Sequence, residues 1–526
     1  MLHSFKAWVN SHNLVLIFIT LYFLISIIKL EHPGVNNDQL MFVNAATLNP
    51  DNPFVWKSFH GVPVMVFPYI GALKSYFYMP IFYTFGVNIY SIRIPQIVLI
   101  SAALILLYKS IQLSLGKIIA LLTVLFLALD PSLIAYSRVD NGPTVLEFFL
   151  KILTVFLFFL YYKTRLGIFL LSIYPVLAMG IFNKINFFWF VNAFMISFII
   201  FYLRDFYKDF KSYGRYFVLS FIALVLFPYL LLIRLFIRLS KETSLSYKDF
   251  SNEVTVSNIL NNLPIFYKNL EDLTTGNIFF RTVYGYNPTD YGLYFFALTI
   301  LILLGGLILT IKYKSSFLKP YLFFISITLL ISIQILMTKR AVFAWHAMVV
   351  YPFLTIIFAV SVYQLYAAIK KTIFKWIFTL AIVAIIFYQI FISFLYINKY
   401  SQPTKSISWS SSIYKVVDFA KDKNTIFICL DIDICNPLLS LTQQTGKYRE
   451  PFSFLNPETY NKSFDNIKDY FNNFEFLYIA HGPATTHIPE FRDSFFQYIR
   501  LNGINLKKIE KFYDGDTVTF EIYRTI

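Results

Sequence analysis

The chain predicts an all-α polytopic membrane domain followed by a small extracytoplasmic α/β domain, and three observations carry that prediction. Of its 526 residues 57% are hydrophobic and only 14% charged, against roughly half and a quarter in soluble domains. The apolar residues fall into eleven blocks, at 14–30, 92–107, 118–129, 145–162, 168–182, 187–203, 217–233, 293–311, 321–337, 344–365 and 373–397. Basic residues, finally, alternate from one connection to the next.

Most of the blocks approach the ~20 residues that a helix needs to cross ~30 Å of hydrocarbon. Lipid offers the backbone no partner, so a spanning segment must be a helix or part of a closed barrel, and these blocks lack strand alternation. The first block has no small-x-small cleavage site and runs into Glu31-His32-Pro33, so it reads as a retained span rather than a signal peptide. With the N-terminus inside, alternate connections carry Lys6, then Lys109 and Lys117, Lys163 and Arg165, and Arg204, Lys208, Lys211 and Arg215. Lys312, Lys314 and Lys319 follow, then Lys370, Lys371 and Lys375, with only Asp205 and Asp209 as acids in these stretches. That is the positive-inside signature. The net charge of +16 is therefore topological, and no nucleic-acid partner is expected.

Three segments interrupt the series. The first external loop, 31–93, carries six prolines but many aromatics, which suits short helices lying on the membrane surface. A second external loop covers 238–291. The chain divides into a membrane domain, 1–400, and a soluble tail, 401–526, with helices expected at 411–420 and 490–501 and strands at 425–430, 474–479 and 517–523. Both cysteines, Cys429 and Cys435, lie in the tail. A bridge requires the chain to turn between them, and free, half-buried thiols are the alternative. No Cys/His cluster of metal-ligand spacing occurs, so no metal ligand is assigned.

Charges close to spans carry the chemistry, because each costs a few kcal/mol in hydrocarbon unless paired or wetted. On the external side the set is Asp38, Lys74, Arg93, Arg138, Asp140, Lys184, Lys339, Arg340 and His346. One or two carboxylates among several cations suit a phosphate-bearing substrate. The cations hold the phosphate and stabilise charge building on it, while a carboxylate takes the proton of an incoming hydroxyl. Plainer readings stand beside these: Arg93 as an interfacial anchor, Arg138 and Asp140 as a local pair closing a turn, Lys339 and Arg340 as snorkelling residues, His346 as a hydrogen-bonded interface residue.

The order of several strings resembles one family. Asn37-Asp38-Gln39-Leu40, Gly71-Ala72-Leu73-Lys74-Ser75-Tyr76, Phe85-Gly86-Val87-Asn88 with Ser91-Ile92-Arg93, and Leu129-Asp130-Pro131 with Tyr136-Ser137-Arg138-Val139-Asp140 lead. Gly180-Ile181-Phe182-Asn183-Lys184, Trp345-His346 and Tyr351-Pro352 follow. Together they are similar to the GT-C glycosyltransferases, the bacterial relatives of protein O-mannosyltransferases and of the lipid A aminoarabinose transferase. The likeness is closest over the first 200 residues or so.

The resemblance implies a GT-C-like domain of about eleven transmembrane helices in the bacterial cytoplasmic (inner) membrane, with the N-terminus cytoplasmic and the site and tail outside. It implies a polyprenyl-phosphate sugar as donor substrate, no further cofactor, and an envelope lipid, glycan or protein as acceptor. Asp38 becomes the catalytic base or acceptor-orienting group, and Asp140 a second acidic position of the catalytic set. Lys74, Arg93, Arg138 and Lys184 become donor-phosphate ligands, and His346 and Tyr351 substrate contacts. One departure stands out: Asp38-Gln39 replaces the Asp-Glu of protein O-mannosyltransferases, so one carboxylate is missing.

Two other classes compete. A transporter or flippase predicts charges at mid-span and Gly/Pro-broken helices in matching halves, whereas here the charges gather at external ends. A catalytically silent scaffold would fit the missing carboxylate, and donor turnover separates it from the other two.

Overall fold

The computed structural model describes residues 2–48, 57–67, 69–222, 255–289, 291–313, 317–338, 344–400, 407–431, 433–444, 446–449, 476–486, 489–501 and 503–526, with a few isolated positions between these segments. The series opens with α1 (Leu2–Ile27). Three elements then fill the first long loop, 31–93: α2 (Asn37–Ala46), an antiparallel sheet of β1 (Lys57–Phe59), β2 (Val62–Phe67) and β3 (Ile70–Gly71), and α3 (Leu73–Phe85). The two short helices answer to the sequence; the sheet was not foreseen.

The bundle continues with α4 (Ile89–Leu115), α5 (Lys117–Ala128), α6 (Pro131–Val139), α7 (Thr144–Thr164), α8 (Gly167–Asn183) and α9 (Phe188–Phe221). After the second loop come α10 (Asn258–Thr275), α11 (Gly292–Lys312), α12 (Leu318–Met337), α13 (Phe353–Ala368) and α14 (Thr372–Lys399). Local chemistry sets several boundaries. Asn88 and Ser91 form a reciprocal capping box at the start of α4. Between α5 and α6 the axis bends by 60°. Pro131 there begins a new helix without an N–H, while the Asp130 carboxylate accepts the N–H groups of Ser132 and Leu133 at 2.8 and 3.1 Å.

Among the described residues six helices are long and apolar enough to cross a bilayer, or seven if the bent α5–α6 pair is one span. Three shorter apolar helices, Asn13–Ile27, Gly167–Asn183 and Phe353–Ala368, coincide with further blocks. The block at 217–233 runs out of the described residues, as do 238–254 of the second loop.

The tail folds as α15 (Ser412–Lys421), β4 (Phe427–Cys429), α16 (Cys435–Thr442), β5 (Tyr448–Arg449), β6 (Leu477–His481), α17 (Pro489–Leu501), β7 (Leu506–Asp514) and β8 (Thr517–Thr525). The sheet order is β5-β4-β6-β8-β7; β4 runs parallel to both neighbours, and β6, β8 and β7 are antiparallel in turn. Cys429 and Cys435 are bridged, with Cα atoms 5.7 Å apart. Free thiols are thereby excluded, because the chain does turn between the end of β4 and the start of α16.

One apolar core fills the helical bundle. A second core belongs to the first loop and the tail together: Leu40 and Phe42 of α2 and Tyr78 of α3 share a buried cluster with Val416 of α15, Leu438 of α16 and Phe520 of β8. Thus α2 is not a helix floating on the membrane surface. It is almost wholly buried, and the tail sits over it.

Candidate active site

Asp38 occupies the first turn of α2. Asn36 caps that helix in an extended conformation (φ −112°, ψ 169°), its side-chain oxygen accepting the Gln39 N–H at 3.0 Å. The Asn36 amide also donates to Asn141 Oδ1 at 3.0 Å, which ties the start of α2 to the turn after α6. That turn holds Asp140 and, at φ +79°, Gly142. Asp140 accepts the Val145 N–H at 2.9 Å and forms an ion pair with Lys74 at 2.8 Å, both side chains being buried. Lys74 donates further to the carbonyls of Gly142 (2.7 Å) and Asp140 (3.4 Å). Its three donors are therefore occupied.

Lys184 follows α8. The turn is pinned on both sides: the Ile185 N–H donates to the Tyr69 carbonyl at 3.1 Å, and the Asn183 amide to the Pro143 carbonyl at 3.1 Å. A Cβ on Gly71 would lie 2.1 Å from the Phe182 carbonyl oxygen, so only glycine lets β3 pass this close to the end of α8. Lys184 Nζ stands 3.9 Å from where a Cβ on Gly142 would be. The two lysines thus flank one glycine turn.

Neither the Asp38 carboxylate nor the Lys184 ammonium has a hydrogen-bond or ion-pair partner among the described residues. Burial and the nearby Asp433 raise the pKa of Asp38 to about 6, with Lys184 and Lys74 opposing. Burial likewise pushes Lys184 down, and Glu147, Asp38 and Asp140 oppose. The result is a carboxylate more basic than usual yet ionised at neutral pH, with an unengaged cation beside it.

The two arginines are placed differently. Arg138 donates to the carbonyls of Ser26, Ile28, Lys29 and His32 at 3.0, 2.6, 2.6 and 2.8 Å, and its guanidinium stacks 4.0 Å from the Tyr400 ring centroid. It collects the orphan carbonyls where α1 ends. Arg93 donates to Leu30 O at 2.7 Å, Gly34 O at 3.1 Å and Gln39 Oε1 at 3.3 Å. Both are fully buried. The terminal nitrogens expected to hold phosphate are given instead to backbone carbonyls and to Gln39, leaving the buried Nε of each without a hydrogen bond among the described residues. Nor does Arg138 pair with Asp140; Lys74 does. Gln39 explains the departure from Asp-Glu: its amide accepts from Arg93 and donates to the Arg138 carbonyl at 3.3 Å, and a carboxylate could not donate.

Tyr351 is buried in the bundle, its hydroxyl donating to Asp130 Oδ2 at 2.8 Å. That engagement is internal to the bundle. His346 is half-buried, edge-on to Trp189 with ring centroids 5.5 Å apart. Lys339 and Arg340 lie outside the described residues.

Three charged residues escaped the sequence reading. Glu147, buried in α7, leaves Oε1 without a hydrogen bond. Lys151, one turn on, donates to the carbonyls of Val349 at 2.7 Å and Tyr351 at 2.9 Å. A Glu and a Lys four apart inside the apolar block at 145–162 were the available signal. Asp433, from the tail, gave none.

Residues 72–231 match the model of the dolichyl-phosphate-mannose-protein mannosyltransferase family. No curated protein matches the chain in sequence. Among solved structures, ArnT from Cupriavidus metallidurans in the apo state aligns with a TM-score of 0.62 at 8% identity, over 99% of this chain and 98% of that one. The same protein bound to undecaprenyl phosphate gives 0.59 at 9%, over 98% of both. The archaeal oligosaccharyltransferase AglB from Archaeoglobus fulgidus, in complex with an inhibitory peptide and a dolichol-phosphate, gives 0.52 at 12%, over 89% of this chain and 69% of that one. At such identities the likeness is one of fold. The family model covers under a third of the chain, while the structural likeness runs over nearly all of it, so the chain has the fold of these membrane glycosyltransferases and resembles the mannosyltransferase family over residues 72–231.

Proposed function

We propose that the protein transfers a sugar from a polyprenyl-phosphate donor to a hydroxyl of an envelope lipid, glycan or protein, on the extracytoplasmic face of the bacterial cytoplasmic membrane. About eleven spans, an inside N-terminus and a tail at 401–526 beyond a catalytic domain at 1–400 complete the reading. The observation that carries it is the half-buried Asp38 carboxylate facing the buried Lys184 ammonium, neither with a hydrogen-bond or ion-pair partner among the described residues. Undecaprenyl phosphate and dolichol-phosphate in the ArnT and AglB structures support the donor class.

The acceptor hydroxyl hydrogen-bonds to Asp38, which takes its proton as the new acceptor-oxygen–anomeric-carbon bond forms. The bond from the anomeric carbon to the phosphate oxygen breaks, and polyprenyl phosphate leaves with the electron pair. Lys184 meets the charge growing on that phosphate in a site with little water, where one well-placed cation is worth most. Direct displacement inverts the anomeric centre. Lys74 and Asp140 hold the turn that separates the two lysines, Asp140 thereby supporting the catalytic base rather than replacing it.

The test uses purified, reconstituted protein offered a panel of polyprenyl-phosphate sugars, with donor loss and polyprenyl-phosphate release followed by mass spectrometry. One donor should be consumed, and Asp38→Asn should slow its consumption by roughly a hundredfold or more, the range for loss of a general base. Comparing glycolipid and glycoprotein profiles of a deletion strain then names the acceptor. Undiminished turnover in Asp38→Asn would sink the mechanism, and no turnover of any donor, with unchanged profiles, would sink the function.

A further inference from the structure

The catalytic base proposed above lies in the first external loop, yet the start of its helix is held from the other end of the chain. The first N–H groups of a helix have no partner inside it and must find one elsewhere. Asn37, which opens α2, finds its partner 396 residues away: its N–H donates to Asp433 Oδ1 at 3.0 Å. The grip is double. Asn436 donates to the Asn37 carbonyl at 3.2 Å and to its side-chain oxygen at 2.5 Å, and Asn44, at the far end of α2, donates to Asn436.

Asp433 stands on the loop that leaves β4 and enters α16, and the Cys429–Cys435 bridge closes that loop across a separation of only six residues. Its backbone is left-handed (φ +62°), a turn conformation that Asp adopts more readily than most non-glycine residues. Its second carboxylate oxygen accepts the Ser408 hydroxyl at 2.6 Å. The side chain is therefore fixed from two directions, with its charge beside the residue next to Asp38.

We propose that Asp433, held by the Cys429–Cys435 bridge, is a positioning residue for catalysis, making Asp38 fit to act as base only when the tail is docked with its loop closed. The inference rests on the reading of Asp38 as that base. The charged groups facing Asp38 are Asp433 from the tail loop, Lys184 from the turn after α8 and Lys74 from α3. The two lysines favour its charged form, and a second carboxylate opposes it. Asp433 thus keeps Asp38 basic enough to accept a proton although two cations stand close by. A domain that supplies this group couples turnover to its own docking, and the bridge makes docking depend on an oxidising compartment.

Asp433→Asn is the direct test, since the amide oxygen can still accept the Asn37 N–H while the charge is gone. The acid limb of the kcat profile, expected near pH 6 for the natural chain, should move to lower pH, towards the ordinary aspartate value of about 3.9. The plateau should fall a few-fold, roughly threefold to tenfold, because a weaker base takes the proton less readily. Cys435→Ser, which frees the loop without touching either carboxylate, should move the limb in the same direction by a smaller step. A merely structural role for Asp433 would lower thermal stability and leave the limb in place. An unmoved limb in both variants, with Asp38→Asn inactive, overturns the inference and leaves the proposed function standing. An active Asp38→Asn enzyme that keeps the natural limb overturns both.

Discussion

Two groups of buried cations lie at helix ends beside the first loop, and they have opposite characters. Where α1 ends, Arg93 and Arg138 give their guanidinium donors to backbone carbonyls and to Gln39. Where α8 ends, Lys184 has no hydrogen-bonded partner among the described residues. The difference teaches that a cation count does not locate a phosphate site. A buried charge whose terminal N–H groups bind several backbone carbonyls ties segments of the chain together even with its Nε left over, whereas a buried charge with no hydrogen bond to any described residue is open to a ligand.

The comparison can be broken by substitution. Arg138→Met leaves the carbonyls at the end of α1 without their donor, and each unsatisfied buried group costs about 1–3 kcal/mol. The variant should lose roughly 3 kcal/mol or more, visible as a large fall in Tm in detergent and in poor yield. A stable Arg138→Met protein with weakened donor binding would return Arg138 to the phosphate.

Lys184→Met should behave in the reverse way. Its ammonium makes no hydrogen bond to any described residue and only faces Glu147, Asp38 and Asp140, so Tm should change far less than in Arg138→Met. Donor turnover should fall by on the order of a hundredfold, the scale of a lost charged contact in the transition state. Steady-state kinetics on several donor concentrations would show it; normal kinetics would contradict the unengaged-cation reading. The smallest effect belongs to Tyr351→Phe, which removes one buried hydrogen bond to Asp130. It should cost about 1 kcal/mol of stability and leave kcat/KM unchanged, whereas a collapse in kcat/KM would make Tyr351 a substrate contact after all.

Much of this could be read from the sequence, and what could not has physical causes. Apolar blocks and basic alternation are local patterns, so the helical series and the short helices of the first loop were visible. Asp38, Lys74 and Lys184 stood out because a charge beside an apolar block is rare. The partners of Arg138 lie 106–112 residues upstream, and no local pattern announces them, so its hold on the end of α1 was not visible in the sequence. In the tail, β7 was missed because its alternation is broken by register shifts at Lys508/Glu510 and Phe512/Tyr513, on an edge strand carrying Lys507, Lys508 and Lys511. The grip of Asp433 on α2 spans nearly the whole chain, and only folding brings the two together.

The central claim is that Asp38 takes a proton from the acceptor. The most direct measurement is the pH dependence of kcat for the natural chain and for Asp38→Asn. A carboxylate raised to about 6 must lose its proton before it can act as base. The natural chain should therefore gain about tenfold per pH unit below that value and level off above it. Asp38→Asn should be slower by roughly a hundredfold at the plateau and should lack the limb. A natural profile that stays flat through pH 6, or a limb that persists in Asp38→Asn, would contradict the account.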